Sequence, residues 1–346
     1  MKFKILNSKG EPLLLNAREK QIAAYNQQVC NALGYDIDIT TLTTIIKRVV
    51  TQKFFEIAPA DYMPVKVGEG AWSSQLLTYR SFDVAADFET GNINTGASNT
   101  RLAEADAAVD SVPVKVINWA KTIGWTLIDL QQAAKAGNWD LITAKEKSRK
   151  KNWDLGIQKI AFLGSSTDTG VLGLLTQGDV ASNTAIITGY IKDLSAANFD
   201  TFLAALYGAY RNNVVQTAKP THFIIPEVDF NGLASFPDST YPLKTKLQIL
   251  EEALKLLTQN PNFKVLPCSY CDQAINAGSQ VDASGKNRYV FLNYDEDSVR
   301  IDIPVDYTAT LANSINTFQF NNVGYGQYTG AKAYRPKEML YFDWAT

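Results

Sequence analysis

The stretch Ser81-Phe82-Asp83-Val84-Ala85-Ala86-Asp87-Phe88-Glu89 alternates strictly in polarity. Phe82, Val84, Ala86 and Phe88 fall on one side of an extended chain, and Asp83, Asp87 and Glu89 on the other. A period of two predicts a half-buried strand. It runs into a polar, turn-rich tip at Thr90–Thr100. Beyond the tip, Val112, Val114 and Val116 alternate with Pro113 and Lys115, which predicts a return strand. Pro113 offers no ladder donor and suits an edge strand. Residues 65–118 therefore read as one long hairpin. A two-stranded hairpin alone is marginal in water. Its apolar face needs cover, either from its own domain or from a neighbouring subunit.

Working outward, Ala17–Leu33 and Thr40–Phe55 show helical spacing, the first closed by Gly34. After the hairpin, Leu141–Leu163 reads as a long helix that Leu127–Lys135 starts or precedes, with Gly137 as a break and Gly164 as the stop. Ile142, Trp153, Ile157 and Ile160 lie on roughly one stripe of the longer helix. Its middle, Lys145-Glu146-Lys147-Ser148-Arg149-Lys150-Lys151, is the most basic part of the chain. That run is either a solvated face or a surface turned toward nucleic acid. Phe199–Tyr210 and Lys244–Leu257 predict further helices, and Phe223–Ile225, Phe263–Leu266, Tyr289–Asn293 and Val299–Ile303 predict strands. The aromatic segment Thr317–Phe342 reads as extended. Helices and strands that mix in this way define an α+β chain.

The chain has 346 residues, enough for about two domains. Its 33 basic and 35 acidic residues leave no global excess for gripping phosphates. Three cysteines, Cys30, Cys268 and Cys271, cannot build a disulfide framework, so a reducing compartment is expected. Met1–Gly10 lacks the apolar core of a secretory leader. No run approaches the roughly 18 apolar residues of a membrane span.

Catalytic chemistry finds little footing. The single histidine, His222, sits at the start of an apolar run and reads as structural. Cys268-Ser269-Tyr270-Cys271 supplies two thiols where a structural zinc needs four ligands. Gly91–Ser98 resembles a phosphate-binding loop until Ala97 stands where the lysine belongs. Gly324-Tyr325-Gly326 lacks the third glycine of a dinucleotide fingerprint. Asp295-Glu296-Asp297 lacks the glycine and closing glutamate of a calcium loop and reads as a solvated turn. The expectation is no catalytic residue, no cofactor and no metal.

The order of elements is an arm, a long hairpin, a long helix, a mixed domain and an aromatic tail. With it go Phe55-Glu56-Ile57-Ala58-Pro59, Gly70-Ala71-Trp72-Ser73, Thr169–Leu175, Val323–Gly330 and Tyr334-Arg335-Pro336-Lys337-Glu338. Together these resemble the major capsid proteins of tailed phages with the Hong Kong 97 fold. The resemblance implies an N-terminal arm at 1–60, an extended β-hairpin loop at 61–120, a peripheral domain with a long spine helix at 121–175 and 315–346, and an axial domain at 176–314. It implies a non-enzymatic subunit that self-assembles as hexamers and pentamers into a virion shell around double-stranded DNA, built in the host bacterial cytoplasm. Implied partners are the portal protein, scaffolding and decoration proteins and the packaged DNA, with no membrane. No cleaved scaffolding segment and no lysine–asparagine crosslink is assigned. Phe82, Val84, Ala86 and Phe88 become the expected inter-subunit face. Lys145, Lys147, Arg149, Lys150 and Lys151 become the expected inner basic surface. An encapsulin-type compartment enclosing protein cargo, a tail or baseplate protein, and an enzyme of unrecognised class are the competing readings.

Overall fold

Of the segment expected as one hairpin, the first residues take another partner: β1 (Val65–Val67) runs parallel to the strand Val299–Ile303. The hairpin proper is β2 (Gln75–Val84) against β3 (Asp106–Thr126), from Gln75 opposite Lys115 to Val84 opposite Asp106. The computed structural model describes residues 57–84, 106–135, 140–215, 217–235, 243–277, 285–316 and 318–345, all within one compact unit, residues 54–346. The helices expected at 17–33 and 40–55, Cys30, and the hairpin tip lie outside the described residues.

On β3 the alternation is realised: Val112, Val114 and Val116 are buried while Ser111, Pro113 and Lys115 are exposed. Val112 and Val114 pack with Leu76 against Tyr334. The strand Gln319–Thr329 flanks β3 only as far as Val116. Pro113 therefore sits where β3 has a single neighbour, the setting a residue without an N–H requires.

Two helices follow, α1 (Leu127–Lys135) and α2 (Leu141–Leu163). The Asp140 carboxylate caps α2 by accepting from Thr143 N at 3.0 Å. At the other end the chain turns on Gly164, with φ 75°, and folds Val171–Leu175 back over the last turn. Leu174 N donates to Ala161 O, Leu175 N to Phe162 O, and Thr176 Oγ1 to Leu163 O. These bonds satisfy carbonyls that a helix end leaves orphaned. The backbones approach closely: a Cβ on Gly173 would lie 2.3 Å from Phe162 O. That contact accounts for glycine in the Thr169–Leu175 motif.

The mixed region then contributes β4 (Ser182–Asn183), α3 (Ala196–Asn213), β5 (His222–Pro226), α4 (Glu227–Ala234), α5 (Lys246–Thr258), β6 (Lys264–Cys268) and β7 (Asn287–Leu292). Next come β8 (Val299–Ile303), β9 (Val305–Ala309), β10 (Asn313–Asn316), β11 (Gln319–Thr329), β12 (Ala331–Ala333) and β13 (Met339–Trp344). One sheet has the order β4-β13-β7-β5-β6. Its alternate residues feed two cores. Phe223, Ile225, Tyr289, Phe291, Leu340 and Phe342 pack under α3, α4 and α5. Ile224, Val290, Leu292, Met339 and Tyr341 pack on the other side against Ala161, Phe162 and Leu163 at the end of α2. Covered on both faces, β5 and β7 are buried throughout. The C-terminal strand β13, between β4 and β7, ties residues 339–344 to this sheet.

A second sheet, of order β10-β11-β3-β2, carries α2 on one face. Residues 319–329 of β11 ladder with residues 116–126 of β3. Gly324 and Gly326 fall on the helix side. A Cβ on Gly324 would lie 2.6 Å from Arg149 Nε, and one on Gly326 would lie 2.5 Å from the Trp153 ring. Gly324 and Gly326 of the Val323–Gly330 motif are thus the spaces into which the helix lowers Arg149 and Trp153. Gly326→Ala is expected to destabilise the unassembled subunit by about 1–3 kcal/mol, through overpacking against Trp153. An unchanged urea midpoint would show that the ring yields freely.

Candidate functional site

The hairpin has two unlike faces. Leu76, Thr78 and Arg80 are partly buried, on the side that carries Val112 and Val114. The opposite side exposes Leu77, Tyr79 and Val109 at 50%, 68% and 69%. Tyr79 pairs with Ser111 and Val109 with Ser81, so Tyr79 and Val109 are diagonal neighbours within side-chain reach. Of the expected contact residues, positions 82 and 84 pair with Ala108 and Asp106. Their register places them on the ladder side of Leu76. Ala86 and Phe88 lie outside the described residues. Leu77, Tyr79 and Val109 escaped the sequence reading because Leu76 and Leu77 are both apolar, which hides the parity of the strand at its base.

The basic helix needs one correction. Arg149 is 2% exposed and faces the sheet rather than solvent. Its guanidinium donates to Tyr307 Oη at 2.7 Å, to Asn322 O at 2.8 Å and to Asn322 Oδ1 at 2.7 Å. Gly324 provides the room. Arg149 thus satisfies buried β11 acceptors and leaves the expected surface set. Lys147 and Lys150 are exposed, and Lys145 and Lys151 partly so. Lys121, on β3, joins Lys145 and Lys151 across a groove of about 340 Å³ that also touches Ser148 and Asn152. Lys145 Nζ donates to Gly124 O at 2.7 Å and Lys121 Nζ to Asn152 Oδ1 at 3.2 Å. No acidic side chain lines that groove. Only the fold brings Lys121 there, so no local sequence signal could have found it.

The residues screened for chemistry are engaged structurally. His222 is buried, shares a 2.9 Å hydrogen bond between Nδ1 and Thr221 Oγ1, and lies over the Tyr294 ring. Burial, aided by the nearby Lys264 charge, pushes its pKa down to about 4, so the imidazole is neutral at pH 7. Cys268 and Cys271 are fully buried, and burial pushes the Cys271 thiol up. Asp295 and Asp297 meet Arg335 at 3.5 and 3.6 Å, and Glu296 meets Lys66 at 3.1 Å. Among the described residues no group of three or more His, Cys, Asp or Glu could hold a metal ion. None of their helices is long and apolar enough to cross a membrane.

A long hairpin, a long helix laid over a sheet and a mixed region sharing a core with the end of that helix make up an architecture also found in solved phage capsid structures. The capsid of Myoviridae phage XM1 is similar at 16% identity and a TM-score of 0.70, over 90% of this chain and 99% of that one. Mycobacterium phage Ogopogo matches at 9% identity and 0.54, over 91% and 99%. The capsid of a native GTA particle matches at 12% and 0.53, over 92% and 99%. No curated protein matches the chain by sequence. The model of the major capsid protein family matches residues 91–344. The chain belongs to that family: it is a structural protein that self-assembles into a phage capsid shell.

Proposed function

We propose that the protein forms, as hexamers and pentamers, the icosahedral head shell that encloses the double-stranded DNA genome of a tailed phage. Assembly takes place in the host cytoplasm, and the portal, scaffolding and decoration proteins are its partners there. The subunit acts without catalysis. The observation that carries this reading is the hairpin, whose apolar residues Leu77, Tyr79 and Val109 are half or more exposed among the described residues. Shell formation supplies that cover by repeated heterologous contacts that close on themselves. Each contact can be modest, because a subunit bound to several neighbours is released only when all of them let go. Residues 1–60 serve as the arm, 61–120 as the extended loop, 121–175 with 315–346 as the peripheral domain, and 176–314 as the axial domain making the ring contacts.

Negative-stain microscopy of the pure protein tests the reading: closed shells are expected. Tubes or small rings would favour a tail protein, and a discrete small oligomer an enzyme. Native particles should contain nuclease-protected DNA, whereas protein cargo in its place would favour an encapsulin-type compartment.

The lysines of α2 are the candidate inner surface, by their exposure and the acid-free groove beside them. Replacing Lys145, Lys147, Lys150 and Lys151 with Gln is expected to lower packaged DNA per particle while empty-shell yield changes little. Each neutralised phosphate contact released should flatten the salt dependence of DNA binding by about one unit of log–log slope. Equal DNA content in variant and parent would defeat the assignment. Arg149→Gln should instead destabilise the subunit, because it strips buried acceptors of their donor.

A further inference from the structure

Two local features of this chain are unfavourable and are not explained by packing among the described residues. The first is Trp72. It is 70% exposed and sits at φ 66°, a left-handed conformation that a bulky side chain rarely adopts. The conformation is held firmly. Trp72 N donates to Gln327 Oε1 at 2.7 Å, and Gln327 Nε2 donates to Asn118 Oδ1 at 2.6 Å. The indole leans on Tyr325 at 5.9 Å between ring centroids, leaving most of its surface in water. Backbone strain kept in place by hydrogen bonds is a mark of a functional position, and a rigid exposed Trp is a common interface anchor.

The second feature is Gly156, inside the long helix α2. Glycine weakens a helix interior. Gly324 and Gly326 each make room for a neighbouring side chain, but a Cβ on Gly156 would meet no atom within 4 Å. What the missing side chain leaves open is a slot of about 220 Å³, lined by the aromatic Trp119, Trp153 and Tyr328 and by the polar Asn152, Lys159 and Ser165. An apolar cavity of about 150 Å³ is enough for a benzene ring, so this slot has room for an indole.

We infer that Trp72 of one copy seats in the Gly156 slot of the next copy. The two features lie on opposite faces of the β3–β11 ladder: Trp72 on the Tyr325 and Gln327 side, the slot on the Gly326 and Tyr328 side. Two different patches on opposite faces give a head-to-tail contact, the heterologous kind that closes rings. Among the described residues Trp72 is the one tryptophan that is exposed. The inference rests on the shell reading and adds a contact outside the hairpin strands.

The test uses full-length protein and measures shell yield by sedimentation, with subunit folding followed by thermal unfolding. Trp72→Ala and Gly156→Leu are each expected to cut shell yield at least tenfold. Gly156→Leu is also expected to leave the subunit as stable as the parent or more so, because leucine favours helix and a Cβ at this position meets no described atom within 4 Å. Gly156→Ala, which barely fills the slot, should assemble. Normal shells from Trp72→Ala or from Gly156→Leu would overturn the pairing. If the parent itself formed no shells, the shell reading would fall; parent shells with unaffected variants would sink only this contact.

Discussion

Arg288→Met is expected to lower the unfolding free energy of the unassembled subunit by about 3–5 kcal/mol, the usual effect of removing one partner of a buried ion pair. Arg288 on β7 and Asp343 on β13 stand opposite each other in the ladder. They are 2% and 1% exposed. The guanidinium grips the carboxylate with two bonds, Nε to Oδ1 and Nη2 to Oδ2, both at 2.7 Å. Its remaining donor reaches Leu175 O, in the segment that folds over the end of α2. Ser182 Oγ donates to the same carboxylate at 2.6 Å, and the guanidinium lies 4.1 Å from the Tyr341 ring centre. One arginine therefore joins the sheet, the C-terminal strand and the helix end. Methionine fills the space but leaves Asp343 charged and dry, with the Leu175 carbonyl orphaned. The double variant Arg288→Met/Asp343→Leu removes both charges and is expected to be less damaging than the single one, because the largest penalty is the unpaired carboxylate. Urea unfolding decides it. A single variant within about 1 kcal/mol of the parent would show that water or another cation reaches the site, which present packing excludes.

How much of this was legible beforehand follows from the range of each interaction. The bounds Leu141–Leu163 and Val299–Ile303 coincide with the sequence expectations. Each is set locally: a 3.6-residue stripe closed by Gly164, or a short apolar run between turns. The hairpin was legible for the same reason, through its period of two. What stayed hidden depends on residues far apart in sequence. Nothing in Val65-Lys66-Val67 announces a parallel partner at Ile301–Ile303. Arg149 reads as surface because its neighbours are lysines. Only β11, with Gly324 in place of a side chain and Asn322 as acceptor, turns it inward. The Val323–Gly330 motif was visible, but its purpose was not: alternating glycines mean nothing until Arg149 and Trp153 are seen above them. Trp72 was quoted within a motif, yet its strain and exposure are properties of the folded backbone alone.

Tyr79→Asp combined with Val109→Asp is expected to abolish shells while changing subunit stability by no more than about 0.5 kcal/mol, as is usual for exposed positions. Tyr79 and Val109 are 68% and 69% exposed and Leu77 is 50% exposed, so the folded chain gains little from them. A neighbouring copy would gain much more, since fully burying each large apolar side chain is worth about 1.5–3 kcal/mol. A carboxylate in the same place must instead be desolvated without a partner. Each 1.4 kcal/mol lost is about tenfold in contact affinity, and the loss recurs at every equivalent contact of the shell. The concentration needed for assembly should therefore rise by orders of magnitude, measurable by light scattering. Phe88→Asp, on the face first expected to make the contact, should likewise fold without assembling. Comparing the two separates the faces. The base of the Phe82 side is already occupied by Tyr334 of the same chain, whereas the Tyr79 side is exposed among the described residues. If Tyr79→Asp/Val109→Asp assembled at the parent's concentration while Phe88→Asp did not, the Tyr79 face would be solvent-facing in the shell. The hairpin would then lie on its neighbour with the Phe82 side down.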